Sequence, residues 1–308
     1  MIKNSKGVLT IAERCKNILA ANYQCVLNTV TADTKGSKED IHSSRVKYMF
    51  RKGRPYIWIP EDDLHNVNMV MDERGSLAVS SMIPGQLVSL FRSVGKRPSR
   101  IALTGDIVSI GDDKVQLARD SLQEAIRLEQ KVLNQCSYAV SGIFSSSSIK
   151  CKTRSSNLQE ILDGSDNYTI CRFNLRSCTL IDNHGSTHEV DMEEFESSKA
   201  DPLSPFSETL IDGINQSQAR RRALMLFCFV YLNTIARDAL MLSADRSGFD
   251  VLGKVPCSIT KDGFGQYQWK EFRFPLKEEA DNIEAFCHSL VEMEDEVLQT
   301  VSSYSGLG

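Results

Sequence analysis

The sequence predicts an α+β protein, with a mostly antiparallel β domain first and a smaller helix-plus-sheet (α/β) domain after it. Short segments of alternating apolar and polar residues, joined by turns, dominate the first half and are typical of antiparallel strands. Longer segments with apolar residues three or four positions apart are typical of helices packed on a sheet. Residues 191–205, rich in acids, serine and proline, separate the two groups. We therefore predict domains over residues 1–195 and 196–308.

The composition is that of an ordinary globular protein. The 308 residues are 41% hydrophobic and 25% charged, which suits one large domain or two modest ones. The formal net charge is -4, and the largest block of like charge is the triplet Arg220 to Arg222. Because the sequence has no general electrostatic footprint for nucleic acid, we expect no nucleic-acid partner.

The N-terminal elements are predicted from a helix start and an apolar run. Thr10 and Glu13 have the spacing of a capping box, inside an amphipathic helix predicted over residues 5–21. A strand is predicted over residues 25–30. The polar residues 31–43, which include Gly and Ser, are predicted to form a loop.

A β-hairpin is predicted next. Val46, Tyr48 and Phe50 alternate with Arg45, Lys47 and Met49, and Lys-Gly-Arg-Pro then turns into a second strand over residues 56–59. After the hairpin, the pattern indicates a short helix over residues 64–70 and a strand over residues 76–80. A stretch with a helical turn is expected over residues 83–98, and a further strand over residues 100–111.

The remainder of the first domain mixes regular and irregular segments. A helix with one apolar side is predicted over residues 115–134. The Ser-rich residues 141–159 indicate a flexible insertion. Strands over residues 168–180 and 187–190, with a turn at residues 183–185, then complete the domain.

The second domain is predicted from two helices, three strands and a long last helix. The helices cover residues 207–215 and 218–233, and the strands cover residues 239–244, 249–255 and 267–274. The last helix has apolar residues at helical spacing from Ile283 to Val301. The apolar run from Ala223 to Leu232 has ten residues, about half of what a membrane-spanning helix needs, so a buried core helix is expected.

Cysteine usage and the N-terminus bear on the compartment. The nine cysteines are scattered, without a Cys-x-x-Cys pair or a Cys/His cluster at zinc spacing, so we expect reduced thiols and no metal site. The first ten residues have neither a signal-peptide core nor the character of a transit peptide. An intracellular compartment is predicted, and any organelle address would be absent from this chain.

The order of elements and several short motifs resemble a known family. The charged hairpin and the helix in LHNVNMVMDERGSLAVSS resemble the flavin-binding split β-barrels related to pyridoxamine 5'-phosphate oxidase. The segments FESSKADPLSPFSETLIDGINQSQARRRAL, SADRSGFDVLG and WKEFRFPL resemble, in this order, the C-terminal domain of HugZ-type haem-utilisation proteins. Plant plastids contain relatives of this architecture that regulate tetrapyrrole synthesis, such as the glutamyl-tRNA reductase-binding protein.

The resemblance implies a flavin site. Such barrels hold the flavin phosphate with basic strand residues and an H-T-x-N-like turn at the start of the short helix, where a dianion meets cations and helix N–H groups. The matching residues here are Arg45, Lys47, His65, Asn66 and Asn68. Asn66 replaces the hydroxyl residue of the motif. Alternating basic residues such as Arg45 and Lys47 also occur on the solvated face of a strand, and this alternative stays open.

The resemblance also implies where haem ligands would lie, and those are missing. The family helix H-M-N-x-D-H has its histidines where this sequence has Gly213 and Gln218, and its acid where Ser217 stands. The sequence also lacks a G-x-S-x-G segment, an H-E-x-x-H helix motif and a P-loop. We therefore predict no catalytic residues. FMN and haem are the candidate ligands.

The arginine triplet is the predicted partner-binding surface. Arg220, Arg221 and Arg222 lie at a helix start, and guanidinium groups are enriched where proteins meet proteins or carboxylates. The alternative is a solvated end of a core helix.

Three functions follow from these observations. The first is a non-catalytic, homodimeric binding or regulatory protein, placed by resemblance in the plastid stroma and linked to tetrapyrrole (haem or chlorophyll) or flavin metabolism, with a tetrapyrrole-pathway enzyme as partner. The second is an enzyme, either a flavin-dependent oxidoreductase or a haem-degrading oxygenase. The third is a scaffold subunit of a plastid assembly.

Overall fold

The computed structural model describes residues 9–31, 40–134, 137–148, 151–164, 167–257 and 267–305. Its helices are α1 (Ile11–Ala21), α2 (His65–Met71), α3 (Gly85–Ser93), α4 (Asp112–Asn134), α5 (Tyr138–Phe144), α6 (Arg154–Asp163), α7 (Met192–Ser197), α8 (Ser207–Gln216), α9 (Gln218–Leu232) and α10 (Ile283–Ser305). Its strands are β1 (Gln24–Val30), β2 (Ile41–Arg51), β3 (Arg54–Pro60), β4 (Arg74–Ser80), β5 (Arg100–Ser109), β6 (Tyr168–Ile181), β7 (Thr187–Glu189), β8 (Asp238–Asp245), β9 (Gly248–Pro256) and β10 (Tyr267–Pro275). The predicted α+β class is confirmed.

Six antiparallel strands close into a barrel. The sheet order is β3-β2-β1-β4-β5-β6-β7, and an additional pairing of β3 with β6 closes the first six strands. Alternate side chains of these strands fill the interior, because successive residues of a strand point to opposite faces. The interior includes Leu27, Tyr48, Ile57, Leu103 and Phe173.

The predicted hairpin is present as β2 and β3. Lys52 and Gly53 both have positive φ, 49° and 77°, at the tip. Two such residues in a two-residue loop are the requirement of a type I′ turn, whose twist matches that of paired strands. Val46 and Tyr48 point into the barrel, as the alternation predicted.

The Ser-rich segment that we predicted as a flexible insertion is helical over much of its length, which corrects that expectation. Residues in α5 and α6 are buried, among them Ile143 and Leu158, each with no exposed surface. Helices α4 and α6 cover the outer face of the barrel at Met49 and Trp58. Arg154 of α6 forms a buried ion pair with Glu129 of α4. Burial of a few apolar side chains therefore orders a segment whose composition is polar.

The second domain is a three-stranded sheet, β10-β9-β8, covered by helices α8, α9 and α10. Phe227, Phe249, Phe274 and Phe286 form a ring-to-ring cluster between the sheet and the helices, with neighbouring ring centroids 5.5–6.3 Å apart. One face of α9 lies in the core, as predicted, through residues such as Leu224 and Phe227. The other face does not, since Phe229 and Leu232 are each 40% exposed, which corrects the prediction that the whole run is buried. Of the helices in the described ranges, none is long and apolar enough to cross a membrane.

The two cores share elements of the first half of the chain. Helices α3 and α5 pack into the second core through Leu90, Phe91, Val140 and Ile143. The turn between β8 and β9 is tied to α1 by a bond from the Arg246 guanidinium to Glu13, with 2.7 Å between Nη2 and Oε1. Residues before 196 therefore contribute to both cores.

Candidate functional site

A buried polar cluster lies at one end of the barrel, under helix α2. His65 and Asn68, which face inward one turn apart on α2, both reach Thr29 at the end of β1. The distance from His65 Nδ1 to Thr29 Oγ1 is 2.8 Å, and the Asn68 side-chain amide donates to the same oxygen at 2.9 Å. All three side chains are buried. Buried polar groups need hydrogen-bond partners, and here each group finds its partner on the other element. These hydrogen bonds therefore hold α2 against the barrel.

Strand β2 and the turn before α2 extend this cluster. His65 Nε2 lies 3.1 Å from Ser44 Oγ, and Ser44 Oγ donates to Asp63 Oδ2 at 3.2 Å. His42 Nε2 lies 3.2 Å from Asp63 Oδ1. The rings of His42 and His65 have centroids 4.4 Å apart, although 22 residues separate them in the sequence. Strand register explains this, since His42 and Ser44 pair with Thr29 and Leu27 and so point to the same face.

The charge states in the cluster follow from burial and hydrogen bonding. Burial lowers the pKa of the His65 imidazole to about 4, so the ring is neutral at pH 7. Burial alone would raise the pKa of Asp63, but bonds from the His65 backbone N–H, Ser44 and His42 lower it below its usual value. The cluster therefore combines a neutral imidazole with a carboxylate.

The predicted phosphate-binding residues are only partly brought together. His65, Asn66 and Asn68 lie in one turn, but the Asn66 amide donates to the carbonyl oxygens of Pro60 and Glu61, at 2.7 and 3.1 Å. Arg45 and Lys47 point away from this turn, because they alternate with the inward-facing residues of β2. Lys47 lies 3.5 Å from Glu160 of α6.

The start of α2 is also acidic. Glu61, Asp62 and Asp63 precede the helix, and the first two are exposed. A phosphate dianion would meet like charge at this helix start, so a flavin phosphate does not fit the turn as a single chain presents it. The assignment of Arg45, Lys47, His65, Asn66 and Asn68 to a cofactor stays a prediction.

The position of the missing family histidine on α8 is filled by the chain itself. A Cβ atom added at Gly213 would lie 2.2 Å from the carbonyl oxygen of Ile143 in α5. Helix α5 therefore approaches the α8 backbone at the place where an imidazole would project. A haem whose iron is bound by a side chain at position 213 therefore does not fit the structure. Gln218 is exposed at the start of α9, and Ser217 caps that helix through its hydroxyl.

The three arginines of the predicted partner surface have different environments. Arg220 Nη1 donates to both carboxylate oxygens of Glu294 on α10, at 2.9 and 3.1 Å. Arg221 forms an ion pair with Asp238 at the start of β8. Arg222 is exposed. The triplet is therefore not a uniform basic surface, and its role in binding a partner stays a prediction.

A basic cavity that the sequence did not predict lies between the hairpin tip and α4. It has a volume of about 200 Å³ and is lined by Arg51, Lys52, Lys114 and Arg172, together with apolar side chains such as Met49 and Leu117. Among the described residues, Arg51 Nη1 and Arg172 Nε are buried and have no hydrogen-bond partner. A carboxylate or phosphate would fit here, because its oxygens could accept from the one unpaired N–H position of each guanidinium.

Comparison with solved structures identifies the fold. The chain is similar to a haem-binding protein from Mycobacterium smegmatis, with 18% identity, a TM-score of 0.55, and coverage of 95% of this chain and 99% of that one. Lower scores relate it to ChuZ from Campylobacter jejuni (10% identity, TM-score 0.38, 60% of this chain and 62% of that one). They also relate it to a protein of the pyridoxinephosphate oxidase family from Clostridium acetobutylicum (8%, 0.35, 60% and 96%).

The predicted antiparallel barrel followed by a smaller helix-plus-sheet unit is confirmed as the fold, since the mycobacterial structure matches 95% of this chain. The HugZ-type character of the second unit stays a prediction. No protein-family model matches the chain, and no curated protein does.

Proposed function

We propose that this protein is a homodimeric split-barrel binding protein of haem or flavin metabolism that acts by holding a ligand and a partner, without turnover of its own. The observation that carries the proposal is the closure of α8 at Gly213 by the α5 backbone. A position that serves haem chemistry in the family is here part of a packed core. The framework is retained, whereas the reactive groups are replaced.

Full-length similarity to a haem-binding protein supports haem as the first ligand to test. Haem carries two carboxylates and FMN carries a phosphate, and either anion suits the cavity between Arg51 and Arg172. The cavity is smaller than the roughly 300–1,000 Å³ of ordinary ligand pockets. It would therefore enclose the anionic end of the ligand and leave the ring at the surface, where a second subunit or a partner could cover it.

The finer form of the proposal is a regulator of a tetrapyrrole-pathway enzyme in the plastid stroma. It is supported by the resemblance to plant plastid relatives and by the exposed Arg222 beside the paired Arg220 and Arg221. We expect a tetrapyrrole-pathway enzyme to co-purify with the wild-type chain and to be lost with Arg222→Glu.

The location is tested separately with a fluorescent fusion of the protein. Fluorescence outside the plastids would contradict it.

Ligand binding is tested by titrating the purified protein with haem and, separately, with FMN. We expect a shifted haem Soret band or quenched flavin fluorescence, with binding weakened about tenfold or more in Arg172→Ala, since a charge-assisted hydrogen bond contributes about 1.5–3 kcal/mol. Arg92→Ala is the matched control, because Arg92 is an exposed arginine on α3 outside the cavity.

Two outcomes would contradict the proposal. Degradation of bound haem under a reductant and oxygen, or turnover of bound flavin with a reduced nicotinamide, would identify an enzyme. Absence of any spectral change with either compound would remove the link to haem and flavin.

A further inference from the structure

His42, Asp63 and His65 meet at the open end of the barrel in the arrangement of a metal site. One donor atom from each of the three residues lies within 4.8 Å of the other two, and His42 Nε2 is 3.2 Å from Asp63 Oδ1. Around a tetrahedral zinc ion with bonds of about 2.0–2.2 Å, donor atoms are separated by roughly 3.3–3.6 Å. Small side-chain rotations would therefore bring the three donors around one ion.

The surroundings of His65 match those of a metal-bound imidazole. A ligating histidine commonly donates its second ring N–H to a protein oxygen, which fixes the tautomer and the ring orientation. Here Nδ1 lies 2.8 Å from Thr29 Oγ1. In the tautomer with the proton on Nδ1, that N–H donates to Thr29, and the Nε2 lone pair can bind an ion in place of the contact with Ser44 Oγ at 3.1 Å. Thr29 is itself held by the Asn68 amide.

The carboxylate is oriented in the same way. Asp63 Oδ1 accepts the backbone N–H of His65 at 2.9 Å, and Oδ2 accepts the Ser44 hydroxyl at 3.2 Å. Hydrogen bonds to both oxygens fix the carboxylate plane, which is how outer residues orient metal-bound carboxylates. Ser44 can keep this bond while His65 Nε2 turns to an ion.

The cluster is open on one side. The side chains of His42 and Asp63 are 27% and 18% exposed, whereas His65 is fully buried. An ion could enter past His42, and water could occupy a fourth position. Two histidines and one carboxylate with an open position are the ligand set of catalytic zinc sites and of several other divalent metal sites.

We propose that His42, Asp63 and His65 bind a divalent transition-metal ion of the zinc class, with water as the fourth ligand. The site is separate from the cavity at Arg51 and Arg172 and does not depend on haem or flavin binding.

The test is a titration of the untagged, metal-free chain with Co²⁺, followed by displacement with Zn²⁺. We expect the visible absorption of tetrahedral cobalt at one equivalent, and a rise in Tm with Zn²⁺ by mass action. His42→Ala should weaken binding by at least about tenfold, because it removes a direct ligand. The His42 side chain is partly exposed and lies outside the barrel core, so this variant is expected to fold.

His188→Ala is the matched control. His188 Nε2 lies 3.1 Å from Asp182 Oδ2, which gives a second His–carboxylate pair, at the turn between β6 and β7. This variant should bind cobalt as the wild type does. Equal binding by wild type and His42→Ala, absence of cobalt absorption in the wild type, or intense thiolate-to-cobalt absorption from a cysteine would each overturn the proposal.

Discussion

Among individual residues, Arg220 shows that the three adjacent arginines at the start of α9 do not share one role. The side chains of Arg220 and Glu294 are 15% and 17% exposed, so the pair is largely removed from water. Burial raises the pKa of Glu294, and the charge and hydrogen bonds of Arg220 oppose that rise. Arg220 is therefore a structural residue that joins α9 to α10.

Replacing Arg220 tests this role. Arg220→Ala leaves a mostly buried carboxylate without its cation, and we expect the free energy of unfolding to fall by about 1–3 kcal/mol. Urea unfolding followed by circular dichroism measures the change. Arg222→Ala, at an exposed site on the same helix, should change it by less than about 0.5 kcal/mol. Equal effects of the two variants would show that the Glu294 pair is not stabilising.

Glu208 makes stability depend on pH. Burial raises the pKa of its carboxyl to about 7, and the charge of Asp212 adds to the rise. In the unfolded chain the pKa is about 4.3. Between these values the folded state binds more protons than the unfolded state, so the contribution of Glu208 to stability is complete below about pH 4.3 and is lost as the pH rises through about 7.

Glu208→Gln should remove this dependence. At pH 8 we expect the variant to be more stable than the wild type by roughly 1–3 kcal/mol, since one pKa unit corresponds to about 1.4 kcal/mol and solvent screens part of the shift. At pH 4 the two should be equal. Urea midpoints across this pH range measure the effect, with the exposed Glu284→Gln as control. A constant difference at every pH would rule out titration of Glu208 as the cause.

Among the helices and strands, the close contact between α5 and α8 determines how much space is left beside α8 in the second domain. The α5 backbone closes the space at Gly213, where the resemblance would place a histidine. Ile143 on the same helix is part of the second core. Asp212 of α8 also accepts bonds from the Ser147 hydroxyl and the Ser148 backbone N–H, at 3.2 and 2.6 Å. The segment after α5 is therefore held by the helix that it covers.

Gly213→Ala should disturb this contact. The added methyl would lie 2.2 Å from the Ile143 carbonyl oxygen, so the helices must separate, and overpacking of this kind costs typically about 1–3 kcal/mol. Thermal or urea unfolding measures the loss. At Gly142 in α5 an added methyl meets no atom within 4 Å, and Gly142→Ala should instead stabilise by about 0.4–1 kcal/mol. Destabilisation by both changes to the same extent would argue against close packing at Gly213.

For the whole molecule, an exposed apolar patch on α2 bears on the proposed dimer. Helix α2 and its flanks expose four large apolar side chains, and Val70 is 84% exposed. The four side chains form a short apolar patch next to the barrel end, and they belong to Leu64, Val67, Val70 and Met71. Apolar patches on a soluble protein commonly mark an interaction surface.

We expect a dimer of twice 34.5 kDa in sedimentation at micromolar concentration. Val70→Asp should shift the protein to the monomer, because a charge in an apolar interface loses its water without gaining a partner. Leu298→Asp, at a 51% exposed leucine on α10, is the control and should remain dimeric. A monomeric wild type would contradict the dimer, and a dimeric Val70→Asp would move the interface elsewhere.

The sequence alone predicted most elements of the fold. The hairpin of β2 and β3, helices α8 and α9, and the three-stranded sheet followed from apolar spacing and turn residues, which act locally. Helix α6 was missed because its sequence, RSSNLQEILD, is mostly polar. It is ordered by covering Met49 and Trp58 on the barrel, and that contact is not visible in its own pattern.

The candidate site could be predicted only in part, for the same reason. The motif around His65 and Asn68 drew attention to α2, whereas Thr29, Ser44 and His42 join it through the pairing of β1 with β2. Arg51 and Arg172 meet only because β3 pairs with β6 and closes the barrel. Local periodicity determined which segments are strands and helices. Barrel closure and strand register decided which side chains meet, since those contacts join residues distant in the chain.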